Sequence, residues 1–231
     1  VEAIETNGGG TTSLKAQNIN IQASEAGLVA NEGSIEVEAS HLVVAAAGEN
    51  SQALVAQANV EGNVAAIKIA ADSTMISATS GAGITATSYG KVDISGDLTV
   101  DAEDVISARG NSTVNINQNG SAKVVLNGNV AFSTPGSEGD AGEDVNANVN
   151  IRLTGAGSQW TGNAYASAPE GVTTTNVKGM NVALINGAQW NPTLVEGLDP
   201  HGNPASVQSI NIFEFSDGVI NLSETGAQTV A

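Results

Sequence analysis

The sequence predicts an all-β chain built as a parallel β-helix, a solenoid of stacked coils, and three observations predict it. Apolar and polar residues alternate at period two, while helical periodicity appears nowhere. One short template returns along the chain, as "AGLVANEGSIEV" from Ala26, "AGITATSYGKVDI" from Ala82 and "EDVISARGNSTVNI" from Glu103. Hydrophobic residues make up 41% of the 231 but aromatics only 3%, so Val, Ile, Leu and Ala must fill the interior. That suits thin, repetitive layers better than one globular centre.

The template reads as a small or acidic residue, two apolar or β-branched residues, a small residue, a turn, then apolar-polar-apolar. Its carriers are Leu28/Val29 with Ile35/Val37, Ile84/Thr85 with Val92/Ile94, and Val105/Ile106 with Val114/Ile116. A further copy begins at Leu54/Val55 and reaches its second pair, Ile67/Ile69, after a longer insertion. Starts at Leu28, Leu54, Ile84 and Val105 are 26, 30 and 21 residues apart, and extra pairs such as Leu42/Val44 and Leu98/Val100 lie between them. Each unit therefore holds about three strands of about three to five residues. Turns rich in Gly, Asn and Ser separate them, as in "NEGS", "SYGK", "RGNS" and "NQNGS".

Three short strands cannot bury an apolar face alone, whereas stacked units bury a continuous column. At roughly 24 residues per coil and about 4.8 Å per coil, the chain would make about nine coils and a rod on the order of 45 Å long. A β-sandwich also uses short alternating strands, but it does not require one template to recur.

The charge balance restricts partners. With 24 acidic side chains against 7 basic ones, the formal net charge is −17. Nucleic acid is not an expected partner, because binding a polyanion relies on Lys and Arg displacing its counterions; an anionic membrane surface is disfavoured likewise. The charge reads as a means of keeping a strand-rich molecule soluble and monomeric. With no cysteine, neither a disulfide framework nor a thiolate metal site is expected. No apolar run reaches membrane-helix length, since "ALVAQANVEGNVAAIKIAA" is broken by Glu61 and Lys68. No charged-then-apolar leader opens the chain, which reads as an excerpt from something longer.

From Val149 the pattern becomes more particular. "VNIRLTGAGSQWTGNA" is followed by "MNVALINGAQWNPT" and then "SINIFEFSDGVINLSETG". The first two share an apolar-polar-apolar strand, a Gly turn and Gln-Trp, with Trp160 and Trp190 thirty residues apart; the third supplies Ile210/Ile212, Asp217-Gly218 and Ile220/Leu222. This succession resembles the C-terminal part of the pertactin-like passenger domain of bacterial type V autotransporters, and the upstream units resemble that family's coils. Two continuous parts result: 1–148, with the looser template, and 149–231, with the Gly-Gln-Trp motifs. The resemblance implies a right-handed parallel β-helix, displayed at the bacterial cell surface after export through an outer-membrane barrel outside this chain. It also implies an adhesin or aggregation factor that binds a host surface or matrix ligand, or a second passenger, without inserting into the membrane itself. A passive stalk carrying an active domain upstream is the alternative.

Chemistry is sparse. A nucleophilic hydrolase needs Ser activated by His, and the two histidines sit in an apolar strand context (His41, in "ASHLVV") and a Pro-rich turn (His201, in "LDPHGNP"). Arg109 and Arg152 are the two arginines and lie far apart, and no carboxylate constellation of a lyase or glycosidase stands out. No enzymatic activity, cofactor or metal is expected. "GAGITA", with Gly81, Gly83 and Ala86, matches a relaxed dinucleotide fingerprint by letters, but a strand-like segment follows where a helix would be needed, so it reads as a turn of the repeat. "TPGSEGDAGEDVN" places Glu138, Asp140, Glu143 and Asp144 on a Gly-rich loop. A solvated acidic loop is the plain reading; as a protruding excursion it is also the candidate binding site, and flexible oxygen ligands could hold calcium. Trp160 and Trp190 would stack on sugars if exposed, although their matched places favour packing between coils.

Overall fold

The computed structural model describes residues 2–58, 62–63, 65–133, 147–167, 180–193 and 210–221. Every regular element among them is a strand, and all seventeen join one sheet. In chain order they begin β1 (Glu2–Asn7), β2 (Thr11–Ala23), β3 (Ala26–Asn31), β4 (Ser34–Ala46), β5 (Ser51–Gln57), β6 (Ala65–Ala78), β7 (Gly81–Thr87), β8 (Gly90–Arg109) and β9 (Thr113–Ile116). They continue as β10 (Val124–Ser133), β11 (Asn148–Thr154), β12 (Gln159–Thr161), β13 (Ala164–Ser167), β14 (Met180–Ile185), β15 (Gln189–Asn191), β16 (Ile210–Ser216) and β17 (Val219–Ile220).

The strand pairings are parallel and fall into three ladders. The first runs β1, β3, β5, β7, the end of β8, the end of β10, then β13. A second takes the starts of β2, β4, β6 and β8, then β9, β11, β14 and β16. The third takes the ends of β2, β4 and β6, the middle of β8, the start of β10, then β12, β15 and β17. The chain visits the ladders in the same order at every passage, so each passage pairs with the next.

Strands are longer than the template suggests, reaching 14 residues in β6 and 20 in β8. The reason is that the chain passes from the second ladder to the third by a bend inside a strand. Ala16 pairs with Ala39 and Asn18 with His41, leaving Gln17 and Ser40 at the bend, and β6 and β8 shift register between Ala70 and Ser73. Gly96 sits at this bend with φ 91°, where a Cβ would come 1.6 Å from the Ala71 carbonyl oxygen, so glycine is required there. Three of the turns read from the sequence carry a left-handed residue other than glycine, Glu32, Ser88 and Asn117, at φ 55°, 47° and 52°, and the fourth carries Gly110 at φ 60°.

The inward residues form columns. On the second ladder Leu14, Val37, Ile69, Ile94, Ile116, Ile151 and Val182 succeed one another. Beside them stand Ile35, Ile67, Val92, Val114, Val149 and Met180. The six residues expected inside, Ile35, Val37, Val92, Ile94, Val114 and Ile116, are all buried. Two details correct the template. Ile106, not Val105, is the register partner of Ile84 and hence of Leu54 and Leu28; β8 rounds the corner before it without a turn. The column Leu42–Thr74–Leu98 contains a threonine, whose buried Oγ1 has no hydrogen-bond partner.

Outside the second ladder runs a row of amides. Asn115 Nδ2 donates to Asp93 Oδ1 at 2.6 Å, Asn150 Nδ2 to Asn115 Oδ1 at 2.8 Å, and Asn181 Nδ2 to Asn150 Oδ1 at 2.8 Å. An amide both donates and accepts, so identical residues one rung apart can satisfy each other. Asn150→Ala removes one donor and one acceptor at a half-buried position and is expected to cost about 1–2 kcal/mol. A lowered urea midpoint with an unchanged slope would measure it.

Candidate functional site

The acidic loop residues Glu138, Asp140, Glu143 and Asp144 lie outside the described residues, as does His201. His41 is exposed on β4, on the outer side of the strand. Arg109 ends the first-ladder part of β8, whereas Arg152 lies on the second ladder and pairs with Glu214 at 2.8 Å. Gly81, Gly83 and Ala86 belong to strand β7, with β8 following rather than a helix, so no helix N-terminus faces that glycine run. Gly83 has a packing reason: a Cβ there would come 2.5 Å from Val100 Cγ1. Among the described residues no group of three or more acidic or histidine side chains could hold a metal, and no helix is long and apolar enough to cross a membrane.

Trp160 and Trp190 are register partners on β12 and β15. Their rings stack with centroids 5.1 Å apart and planes 6° apart. Trp160 Nε1 donates to the Gly128 carbonyl at 2.9 Å, and Trp190 Nε1 repeats that bond one rung on, to Gly162 at 3.0 Å. Trp160 is wholly buried. The pair therefore packs successive passages together.

A concave feature formed by described residues lies elsewhere, on the outer side of the first ladder. Strands β3, β5 and β7 are buried on both sides, with Val29, Val55 and Thr85 facing away from the main core yet only 7%, 9% and 5% exposed. Ala26, Val29 and Val55 form a small apolar cluster of their own. These residues floor a trough that crosses the strands and follows the stack. One stretch, of about 340 Å³, is lined by residues that include Gln52, Val55, Gln57, Thr85, Thr87 and Arg109. The adjoining stretch, of about 270 Å³, shares Asn50, Gln52, Val55 and Gln57 with it and extends to Glu2, Glu5 and Glu25.

Register explains the repetition along this trough. The floor is the row Glu5, Val29, Val55, Thr85, Ser107, and one wall is the row Asn7, Asn31, Gln57, Thr87, Arg109. The opposite wall is Glu2, Ala26, Gln52, Ala82, Asp104. Beyond Ser107 the same row continues through Ala131 to Tyr165, whose hydroxyl donates to the Asp104 carboxylate at 2.8 and 3.0 Å. Buried Tyr165 thus covers Ala131 and closes that end. The far end is acidic: the Glu2 carboxyl is raised above its ordinary value by loss of hydration, then by the charge of Glu5, a hydrogen bond with Glu5 and the charge of Glu25.

The doubled apolar pairs of the template, Leu28/Val29, Leu54/Val55 and Ile84/Thr85, were the sequence signal for this trough. Strict alternation would put a polar residue second; a residue that prefers burial there marks a strand covered on both sides. Comparison with protein-family models, with curated proteins and with solved structures finds no match for the chain.

Proposed function

We propose that the chain is a segment of a surface-displayed autotransporter passenger of the pertactin-like class, acting in adhesion or cell-cell aggregation through the flank of a β-helical rod. In this reading the three ladders close into a right-handed parallel β-helix of about nine coils, the hand favoured for parallel crossovers. Export through an outer-membrane barrel places the rod on the bacterial cell surface, and the segment itself binds rather than catalyses.

The observation that carries the reading is the trough. It offers a polar side chain on one wall at five successive rungs and on the other wall at Glu2, Gln52 and Asp104, so weak contacts can add along the stack without any single deep pocket. The Gln-Trp rung, repeated with the same tryptophan-to-carbonyl hydrogen bond in two passages, supports the resemblance to passenger domains. A second reading, a passive stalk, is favoured by the apolar columns of the second ladder, which run unbroken from Leu14 to Val182 and from Ile35 to Met180.

Fusing the chain to a translocator barrel on cells that neither aggregate nor adhere separates the two. Adhesion to matrix or settling of the culture is expected once antibody staining verifies display; displayed but inert cells would support the stalk. If settling comes from pairing of rods, the charge of −17 opposes it. Self-association of the purified chain should then strengthen with added salt or divalent cations, which screen that repulsion. Sedimentation across a salt series measures this, and association that weakens steadily as salt rises would point instead to complementary charges.

A further inference from the structure

We propose that the first-ladder trough holds an extended oligosaccharide carrying free amines. The inference rests on the flank-binding reading above and names the ligand class for that flank. Four features of the trough select it.

The trough follows the stack across five rungs, about 19 Å at the spacing of paired strands, so its occupant must be a chain lying along it. The middle rung presents both donors and acceptors, because Gln52 and Gln57 flank Val55, whereas the hydroxyls of Thr85 and Thr87 on the next rung are turned away from the surface. Such amides match the hydroxyls of a sugar, each of which also donates and accepts. Val29 and Val55 supply an apolar floor for the C–H faces of the rings.

The ends set the charge. Glu2, Glu5 and Glu25 stand at one end and Glu103 and Asp104 at the other, with Arg109 as the basic residue of the lining. A cleft lined mainly by one sign of charge concentrates ligands of the other sign and rejects its own. Polyuronates and sulfated chains are therefore excluded, and ammonium groups are favoured. An ammonium near Glu2 would also offset the repulsion from Glu5 and Glu25 that adds to the effect of lost hydration on its carboxyl.

The backbone disfavours a peptide. Extended peptides gain affinity by adding a strand to an open sheet edge, whereas β3, β5 and β7 are each paired on both sides. A peptide in the trough would find side chains only.

Calorimetric titration of the chain with four probes tests this: a glucosamine hexamer, an N-acetylglucosamine hexamer, a galacturonate hexamer and a lysine hexamer. The glucosamine hexamer is expected to bind, more weakly as salt rises, with the acetylated probe at least about tenfold weaker for want of the charge. Galacturonate should not bind. Two double variants locate the site: Glu5→Gln with Glu25→Gln, and Gln52→Ala with Gln57→Ala, each expected to weaken glucosamine binding about tenfold by loss of two polar contacts. The first pair is exposed, so its fold is retained even if the second pair is unstable. No heat with the glucosamine hexamer, equal affinity for galacturonate, or indifference to the exposed pair would overturn the proposal. So would lysine-hexamer binding of equal strength with the same sensitivity, which would make the occupant a basic peptide. Adhesion of displaying cells, measured with the same variants, keeps the two readings apart. Adhesion without oligomer binding overturns the ligand assignment alone, and oligomer binding without adhesion overturns the adhesin reading alone.

Discussion

Replacing Ile94 with Asp should leave no cooperatively folded protein. Ile94 is 3% exposed and lies between Ile69 and Ile116 in a column that continues in both directions. The change removes a buried aliphatic side chain, worth about 2–5 kcal/mol with its cavity. It also places a carboxyl among hydrocarbon with no partner, which costs a further 1–3 kcal/mol or more even when neutral. The total, on the order of 5 kcal/mol or more, is comparable with the whole stability of an ordinary domain. Because each passage is held mainly by its neighbours, the loss also uncouples the passages on either side. Ile94→Val keeps the shape and should cost only about 0.5–1.5 kcal/mol. Thermal unfolding followed by far-UV circular dichroism compares the two; a soluble Ile94→Asp chain with a sharp transition would contradict the register.

Trp160→Ala has the next largest expected effect, about 3–5 kcal/mol. The indole is wholly buried, stacks on Trp190 and satisfies the Gly128 carbonyl. Truncation therefore leaves a cavity, an unpaired acceptor and a partner ring without its stack. Trp160→Phe keeps a ring and loses the hydrogen bond, so it should recover most of the loss and cost about 1–3 kcal/mol from the acceptor left behind. Denaturant titration of the variants would show this order. Trp190→Ala should cost less than Trp160→Ala, because Trp190 is only half-buried.

Much of the architecture was legible because stacking writes itself into sequence. Residues one passage apart share a column, so Ile35, Ile67, Val92 and Val114 recur as like with like. The turns were legible for a similar local reason, but not which residue in each turns left-handed, since Glu32 and Ser88 do so while Gly33 and Gly90 beside them do not. What sequence could not give was geometry that depends on corners. The bend at Gly96 and the unturned corner before Val105 let strands run on, and one copy of the template lies a residue off its true register. Thr74 entered a core column because its neighbours tolerate it, not because its own chemistry asks for burial.

The trough was half legible. Val29, Val55 and Thr85 broke the alternation in plain sight, yet whether such residues lie under another layer or along an open concavity depends on how the ladder curves. Its polar walls looked ordinary in sequence, since Asn31, Gln57 and Thr87 are far apart until parallel register aligns them. The acidic loop drew attention because its charges are adjacent in the chain; the residues that share the trough are adjacent only across rungs.

Distances between spin labels along one row test the stack most directly. The chain has no cysteine, so a label at Ser13→Cys can be paired unambiguously with one at Asn115→Cys, Asn150→Cys or Asn181→Cys. These residues belong to one row on the outer side of the second ladder, linked through Glu36, Lys68 and Asp93. Successive rungs at the spacing of paired strands put them about 19, 24 and 29 Å from Ser13. Pulsed electron resonance should therefore give three distances that rise by one rung each. A Ser13–Asn181 distance equal to or shorter than Ser13–Asn115 would mean that the chain folds back on itself, as in a sandwich, and would contradict the stacked ladders.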